Sequence, residues 1–72
     1  MKTFTAYVEY DTDTSLYVGI VPGMPGAHSQ AGTLDELREN LKEVIELCLG
    51  EYGDAVEFHP QFIGIQQIEV AV

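Results

Sequence analysis

The chain has 72 residues, of which twelve are acidic and three are basic, so its formal net charge at pH 7 is −9. This length predicts one domain over residues 1–72, and the charge disfavours direct nucleic-acid binding, which needs clustered Lys and Arg side chains. A single cysteine excludes an internal disulfide, and the sequence has no apolar run long enough to predict a transmembrane helix or a signal peptide. We therefore expect a cytoplasmic protein without membrane contact. A domain this small is often supported by self-association, so a homo-oligomer is expected.

Two runs of alternating residues open the chain and predict an antiparallel hairpin. Between Lys2 and Tyr10 one face is apolar and aromatic, comprising Phe4, Ala6, Val8 and Tyr10. The polar residues 11–15 suit a turn, and the alternation resumes from Leu16 to Val21.

The segment 22–26 interrupts this pattern, because neither proline can donate to a β-ladder and each glycine can adopt a positive φ. A turn is therefore predicted at Pro22, Gly23, Pro25 and Gly26. A short third strand is predicted from Ala27 to Gln30.

A capped helix follows, in which Thr33 is the N-cap and Glu36 completes a capping box. One apolar stripe at helical spacing contains Leu34, Leu37, Leu41, Val44, Ile45 and Cys48. The helix is predicted to end near Gly50 or Gly53, with Leu47 exposed among the glutamates.

Residues 54–60 are predicted to connect the helix to a last strand over 62–72. This strand carries apolar residues on both faces, which is typical of a strand inside a sheet or covered on its second face. One helix covers only one face of a small sheet. The other face, with Tyr7, Tyr17 and Val21 as candidates, is therefore predicted to bind protein.

Residues 17–34 resemble the signature of the HicB-like antitoxins. In that family a strand ends in a Pro-Gly-x-Pro-Gly turn, followed by a small residue, a histidine, Ser or Thr, and a capped helix. Here these features are Pro22 to Gly26, then Ala27, His28, Ser29 and the Thr33 cap. The helical segment 37–47 is also similar, and the resemblance covers essentially the whole chain.

The resemblance implies an α+β, partial ribonuclease-H-like fold of order β-β-β-α-β, with one helix packed on one face of a small sheet. It also implies an antitoxin that binds and blocks HicA, a small basic ribonuclease that cleaves mRNA. Many family members continue into a DNA-binding module. This chain stops at Val72 with three basic residues, so direct DNA binding is not expected.

Two groups of residues invite a catalytic interpretation, and in both a structural role is favoured. Adjacent His28 and Ser29 in a strand point to opposite faces, and no acid at fixed spacing completes a triad. Asp11 and Asp13, with Glu9, would be the metal ligands of a nuclease, but aspartates are common in hairpin turns. Cys48 lies on the apolar stripe, so a buried, inert thiol is favoured over a nucleophile. We expect no catalytic residue, metal or cofactor.

The sequence therefore predicts a non-enzymatic antitoxin that binds its toxin through an acidic surface and a sheet edge. The predicted partner-binding residues are Tyr7, Glu9, Asp11, Asp13, Tyr17 and His28. The alternatives are an orphan homo-oligomer with a structural or regulatory role and no toxin partner, and a metal-dependent nuclease.

Overall fold

The structure, a computed structural model, describes residues 3–52 and 61–72. Three strands precede one helix: β1 is Tyr7–Asp11, β2 is Leu16–Ile20, β3 is His28–Ala31 and α1 is Leu34–Tyr52. The strands form an antiparallel sheet in the order β1-β2-β3. The predicted α+β class is confirmed. The predicted connector 54–60 lies outside the described residues.

The hairpin forms where the alternation predicts it, with Tyr7 opposite Ile20 and Asp11 opposite Leu16. In the connecting turn the Asp13 backbone N–H donates to Asp11 Oδ1 at 2.9 Å, and Ser15 has a φ of 59°. β1 begins at residue 7, later than predicted. Its pairing with β2 runs from Tyr7, opposite Ile20, to Asp11, opposite Leu16.

The Pro-Gly segment folds as two successive type II turns. The Met24 N–H donates to the Val21 carbonyl at 3.3 Å, and the Ala27 N–H donates to the Met24 carbonyl at 3.1 Å. Each turn has proline at its second position and glycine, at φ 81° or 82°, at its third, as this turn type requires. The Val21 N–H also donates to the Ala27 carbonyl at 2.8 Å, so the loop returns the chain into β3.

The helix begins as predicted, because Thr33 Oγ1 accepts a hydrogen bond from the Glu36 N–H at 3.1 Å. Leu37, Leu41 and Cys48 of the predicted stripe are buried, whereas Leu34 is 56% exposed. The predicted stripe therefore does not extend to Leu34, in the first turn of the helix. Leu47 is exposed, as predicted.

α1 covers β2 and β3 on the face where β2 presents Gly19. A Cβ atom at Gly19 would lie 2.8 Å from Leu41 Cδ1, so the absence of a side chain admits the helix. Small residues continue this face, with Ala27 and Ala31 both buried. The core has two clusters, one around Leu37 and Leu41 and one around residues of the double turn and the end of the helix, namely Val21, Met24, Ala27 and Cys48.

Two residues predicted for the uncovered face lie under the helix instead. Val21 is buried in the core, and Tyr17 packs against the cluster of Ala31, Leu37 and Leu41. Both faces of β2 carry apolar side chains, so its alternation predicts a strand but does not indicate which face the helix covers. The helix covers the face that carries Tyr17, because Gly19 on that face leaves room for the helix.

The fourth strand expected over 62–72 is not formed. Residues 61–72 have no regular secondary structure, and all of them are exposed. The sheet of the described chain contains no strand that pairs with this segment. The predicted order β-β-β-α-β is therefore observed as β-β-β-α.

Candidate functional site

The uncovered face of the sheet is the first candidate site. The strand register brings Tyr7 of β1, Ile20 of β2 and His28 of β3 into one row across this face. All three are exposed, Tyr7 at 47% and Ile20 at 51%. The row joins an aromatic, an aliphatic and an imidazole side chain, a composition suited to contact with another protein.

Acidic residues lie along the β1 side of this face. Glu9 is exposed beside Val18, and Asp11 ends the strand opposite Leu16. Asp13 lies in the hairpin turn, where its N–H is held by the Asp11 carboxylate. That bond supports the turn role expected for these aspartates. Among residues 3–52 and 61–72, no three His, Cys, Asp or Glu side chains form a group able to hold a metal ion.

His28 and Ser29 lie in β3 with opposite orientations. His28 pairs with Ile20 on the uncovered face, while Ser29 pairs with Gly19 on the helix-covered face. The histidine backbone N–H donates to the Gly26 carbonyl at 3.0 Å, which ties its position to the second type II turn. The two side chains are therefore not arranged as a nucleophile and its base.

The structure brings together four of the six predicted partner-binding residues: Tyr7, Glu9, Asp11 and His28 share the uncovered face. Asp13 lies in the adjoining turn. Tyr17 lies on the opposite face, where its ring centroid is 4.9 Å from that of Tyr10. Sequence reasoning missed Ile20 as a member of the site. Its place opposite Tyr7 in the hairpin register is the signal that identifies it.

The proline and glycine residues of the family-like motif have structural roles. Pro22, Gly23, Pro25 and Gly26 build the two turns, whose central Met24 side chain is buried against the helix. Cys48 on α1 is 3.7 Å from the Pro25 carbonyl, to which its thiol donates. The double turn is thus fixed to the far end of the helix.

A second surface feature is an open apolar groove between the helix and the chain leading into β1, called here the β1 groove. α1 packs on β2 and β3 but not on β1, which leaves this side of the sheet partly open. Phe4 and Ala6 line it on one side and Leu41, Ile45 and Leu49 on the other, and its charged lining residues are Arg38, Lys42, Glu39 and Glu46. Sequence reasoning did not find this groove. The i, i+4 spacing of its two cations on α1 is the available signal.

The charges of the chain are distributed unevenly over these surfaces. Two of its three basic residues, Arg38 and Lys42, line the β1 groove together with two acidic residues, Glu39 and Glu46. Half of its twelve acidic residues lie on α1: Asp35, Glu36, Glu39, Glu43, Glu46 and Glu51.

Within the described residues, no helix combines the length and apolar character needed to cross a membrane.

Proteins from three distant organisms are similar to the chain over nearly its whole length. It is 48% identical over 69 residues to a UPF0150 protein of Thermotoga maritima, with 96% of this chain and 91% of the relative aligned. It is 45% identical over 69 residues to a UPF0150 protein of Synechocystis, with 96% of both chains aligned. For a UPF0150 protein of Archaeoglobus fulgidus the identity is 49% over 67 residues, with 93% of both chains aligned.

No protein-family model matches the chain, and no solved structure is significantly similar to it. Family membership therefore rests on the three relatives, whose identity and coverage leave no large part of the sequence unmatched. The chain belongs to the UPF0150 family.

Proposed function

We propose that this protein is a cytoplasmic, non-enzymatic antitoxin that binds and neutralises a small basic ribonuclease of the HicA type. The observation that carries the proposal is the uncovered sheet face, where Tyr7, Ile20 and His28 lie beside the acidic groups of Glu9 and Asp11. The HicB-like pattern of residues 17–34 supplies the class of partner as a hypothesis.

The physical argument is one of complementary charge. A ribonuclease that binds RNA presents a basic surface, and a domain with a net charge of −9 attracts such a surface from a distance. Exposed Ile20 on the middle strand, with Tyr7 beside it on β1, then offers apolar contact area, and the carboxylates of Glu9 and Asp11 lie along β1. Interfaces commonly combine such central anchors with a polar rim.

The test takes as the partner any short basic protein found to be encoded beside this gene. Its expression alone is expected to arrest growth, and co-expression of the antitoxin is expected to restore it. Purified proteins are expected to form a complex whose association rate falls as salt rises, because screening weakens electrostatic steering. Absence of toxicity and of a complex would exclude the proposed function.

Matched charge reversals locate the binding surface. Glu9→Lys changes the uncovered face, whereas Glu43→Lys makes the same change of net charge on the exposed side of α1. We expect Glu9→Lys to weaken the complex roughly tenfold or more and Glu43→Lys to have a much smaller effect. Equal effects of the two variants would mean that the uncovered face is not the site.

An orphan oligomer without a toxin partner is the second candidate function. The exposed apolar side chains of residues 62–72 favour it, because such surface is commonly covered by protein contact. A stable homo-oligomer combined with no binding to the neighbouring basic protein would favour this candidate over the antitoxin.

A further inference from the structure

We propose that two copies of the chain exchange their 61–72 segments. Each segment pairs with the free edge of β1 in the other copy and covers that copy's β1 groove. The observation behind this is a match between two incomplete features of one chain, an apolar segment without a strand partner and an open sheet edge beside an apolar groove. The inference does not rest on the proposed toxin binding, which uses the uncovered face.

The donated feature is the segment itself. Its sequence alternates like a β-strand and is apolar on both faces, yet the side chains of Ile63, Ile65, Ile68 and Val70 are 86%, 87%, 73% and 70% exposed. Four large aliphatic side chains so close together in the sequence expose far more contiguous apolar surface than single exposed residues scattered over a protein. Their burial would be strongly favourable, so the segment is expected to be covered in solution.

The receiving feature is the outer edge of β1. β1 is the first strand of the three-stranded sheet, so the backbone N–H and C=O groups on its outer side have no strand partner in the described chain. Such an edge is a template for an added strand. The other edge, β3, is a poorer template, because it has four residues and follows directly on the double turn.

The β1 groove lies on the helix side of this edge, where an added strand would place alternate side chains. Its walls are apolar, with Phe4 and Ala6 facing Ile45 and Leu49. Its lining also carries two cations and two carboxylates, namely Arg38, Lys42, Glu39 and Glu46, and the segment carries one charged residue, Glu69. A strand laid along β1 thus meets apolar surface flanked by charges of both signs, with Arg38 and Lys42 available to pair with Glu69.

The exposure of the segment beyond Phe62 indicates a second copy as the source of the strand. The Phe62 ring lies edge-on to Tyr7 of its own chain, with centroids 5.7 Å apart, on the uncovered face. From Ile63 onward the aliphatic side chains are exposed, and none of them lines the groove of their own chain. The segment thus starts against β1 of its own chain but leaves its aliphatic side chains uncovered there, and a reciprocal exchange would bury both segments in a closed two-fold dimer.

Light scattering after size exclusion tests the assembly. We expect the whole chain to have twice its 7.9 kDa mass. Ile65→Asp is expected to raise the dimer dissociation constant at least about 100-fold, because it would bury an unpaired charge. Leu47→Asp is the control, since Leu47 is also exposed but lies on α1 away from the groove lining. A monomeric wild-type protein, or a dimer equally stable in both variants, would overturn the proposal.

Isotope-filtered NMR on the wild-type protein tests the exchange without any substitution. Equal amounts of labelled and unlabelled chain are unfolded and refolded together. Contacts between the two kinds of chain are expected to join Ile63 or Ile65 to Phe4, Ala6 or Ile45. If these contacts appear only within one kind of chain, the segment completes its own sheet and exchange is disproved.

Discussion

Gly19 lies where α1 crosses the sheet, and a side chain at this position would collide with the helix. A Cβ atom there would lie 2.8 Å from Leu41 Cδ1 and 3.3 Å from Leu37 Cδ2. Both leucines are buried, so their side chains have little room to move. We expect Gly19→Ala to lower the free energy of unfolding by about 1–3 kcal/mol, as overpacking of a core does. Urea titration followed by circular dichroism measures this change.

Gly50 provides a control of opposite sign. It lies within α1, and a Cβ atom there would meet nothing within 4 Å. Alanine is the better helix former, so Gly50→Ala is expected to raise the free energy of unfolding by roughly 0.5–1 kcal/mol. If both substitutions stabilise the protein, the close approach of α1 to β2 is incorrect.

Gly26 is required for its backbone conformation and not for space. Its φ is +82°, and a Cβ atom would have no neighbour within 4 Å. Gly26→Ala is expected to cost about 1–2 kcal/mol of stability, since alanine is strained at positive φ. Gly26→Asn is expected to cost less, because asparagine tolerates this region better. Thermal melts of the three proteins should rank Gly, Asn, Ala in falling stability, and equal melting temperatures would argue against the second type II turn.

At the scale of single elements, the start of α1 depends on the Thr33 cap. Thr33 Oγ1 accepts from the Glu36 N–H, and the Thr33 carbonyl accepts from the Leu37 N–H at 3.0 Å. Thr33→Ala removes the first bond and is expected to cost about 1 kcal/mol, whereas Thr33→Ser keeps the hydroxyl and should cost much less. Urea unfolding of both variants measures the difference. Equal losses would show that the methyl group, not the cap, is what matters.

The elements that follow from local chemistry could be predicted from the sequence. Turn residues fix the hairpin and the double turn, and the Thr33 cap fixes the start of α1, because each acts within a few residues. The face of the sheet that α1 covers could not be predicted from alternation alone. It depends on Gly19 meeting Leu41, residues 22 positions apart in the sequence.

The same distinction explains the candidate site. Strand alternation predicts that Tyr7 and Glu9 share one face, whereas only the strand register shows that His28 joins them there. Tyr17 was assigned to the wrong face because alternation does not show which face of the sheet the helix covers. The strand expected over 62–72 has the correct pattern but no partner within the described chain, and a pattern of side chains does not identify the strand with which it pairs.

At the scale of the whole molecule, negative charge is concentrated on the element that holds the fold together. Half of the acidic residues lie on α1, and its last turn contains no basic residue. Glu39 and Glu43 are four residues apart, a spacing at which like charges destabilise a helix, and Glu51 lies at the negative end of the helix dipole. The acidity that would attract a basic partner therefore lowers the stability of the free domain.

This conflict predicts that stability rises with salt. Raising NaCl from about 10 mM to 150 mM shortens the Debye length from about 30 Å to about 8 Å, so repulsion between exposed carboxylates weakens. The variant Glu43→Gln/Glu51→Gln removes two of these charges and is expected to be about 0.5–1 kcal/mol more stable at low salt, with a smaller response to NaCl. Urea titrations at fixed protein concentration measure both quantities. Asp35→Asn/Glu36→Gln removes the same charge from the first turn, where it favours the helix, and should lose stability at low salt. If both double variants gain stability equally, net charge alone governs the effect and the position of the acids on α1 does not matter.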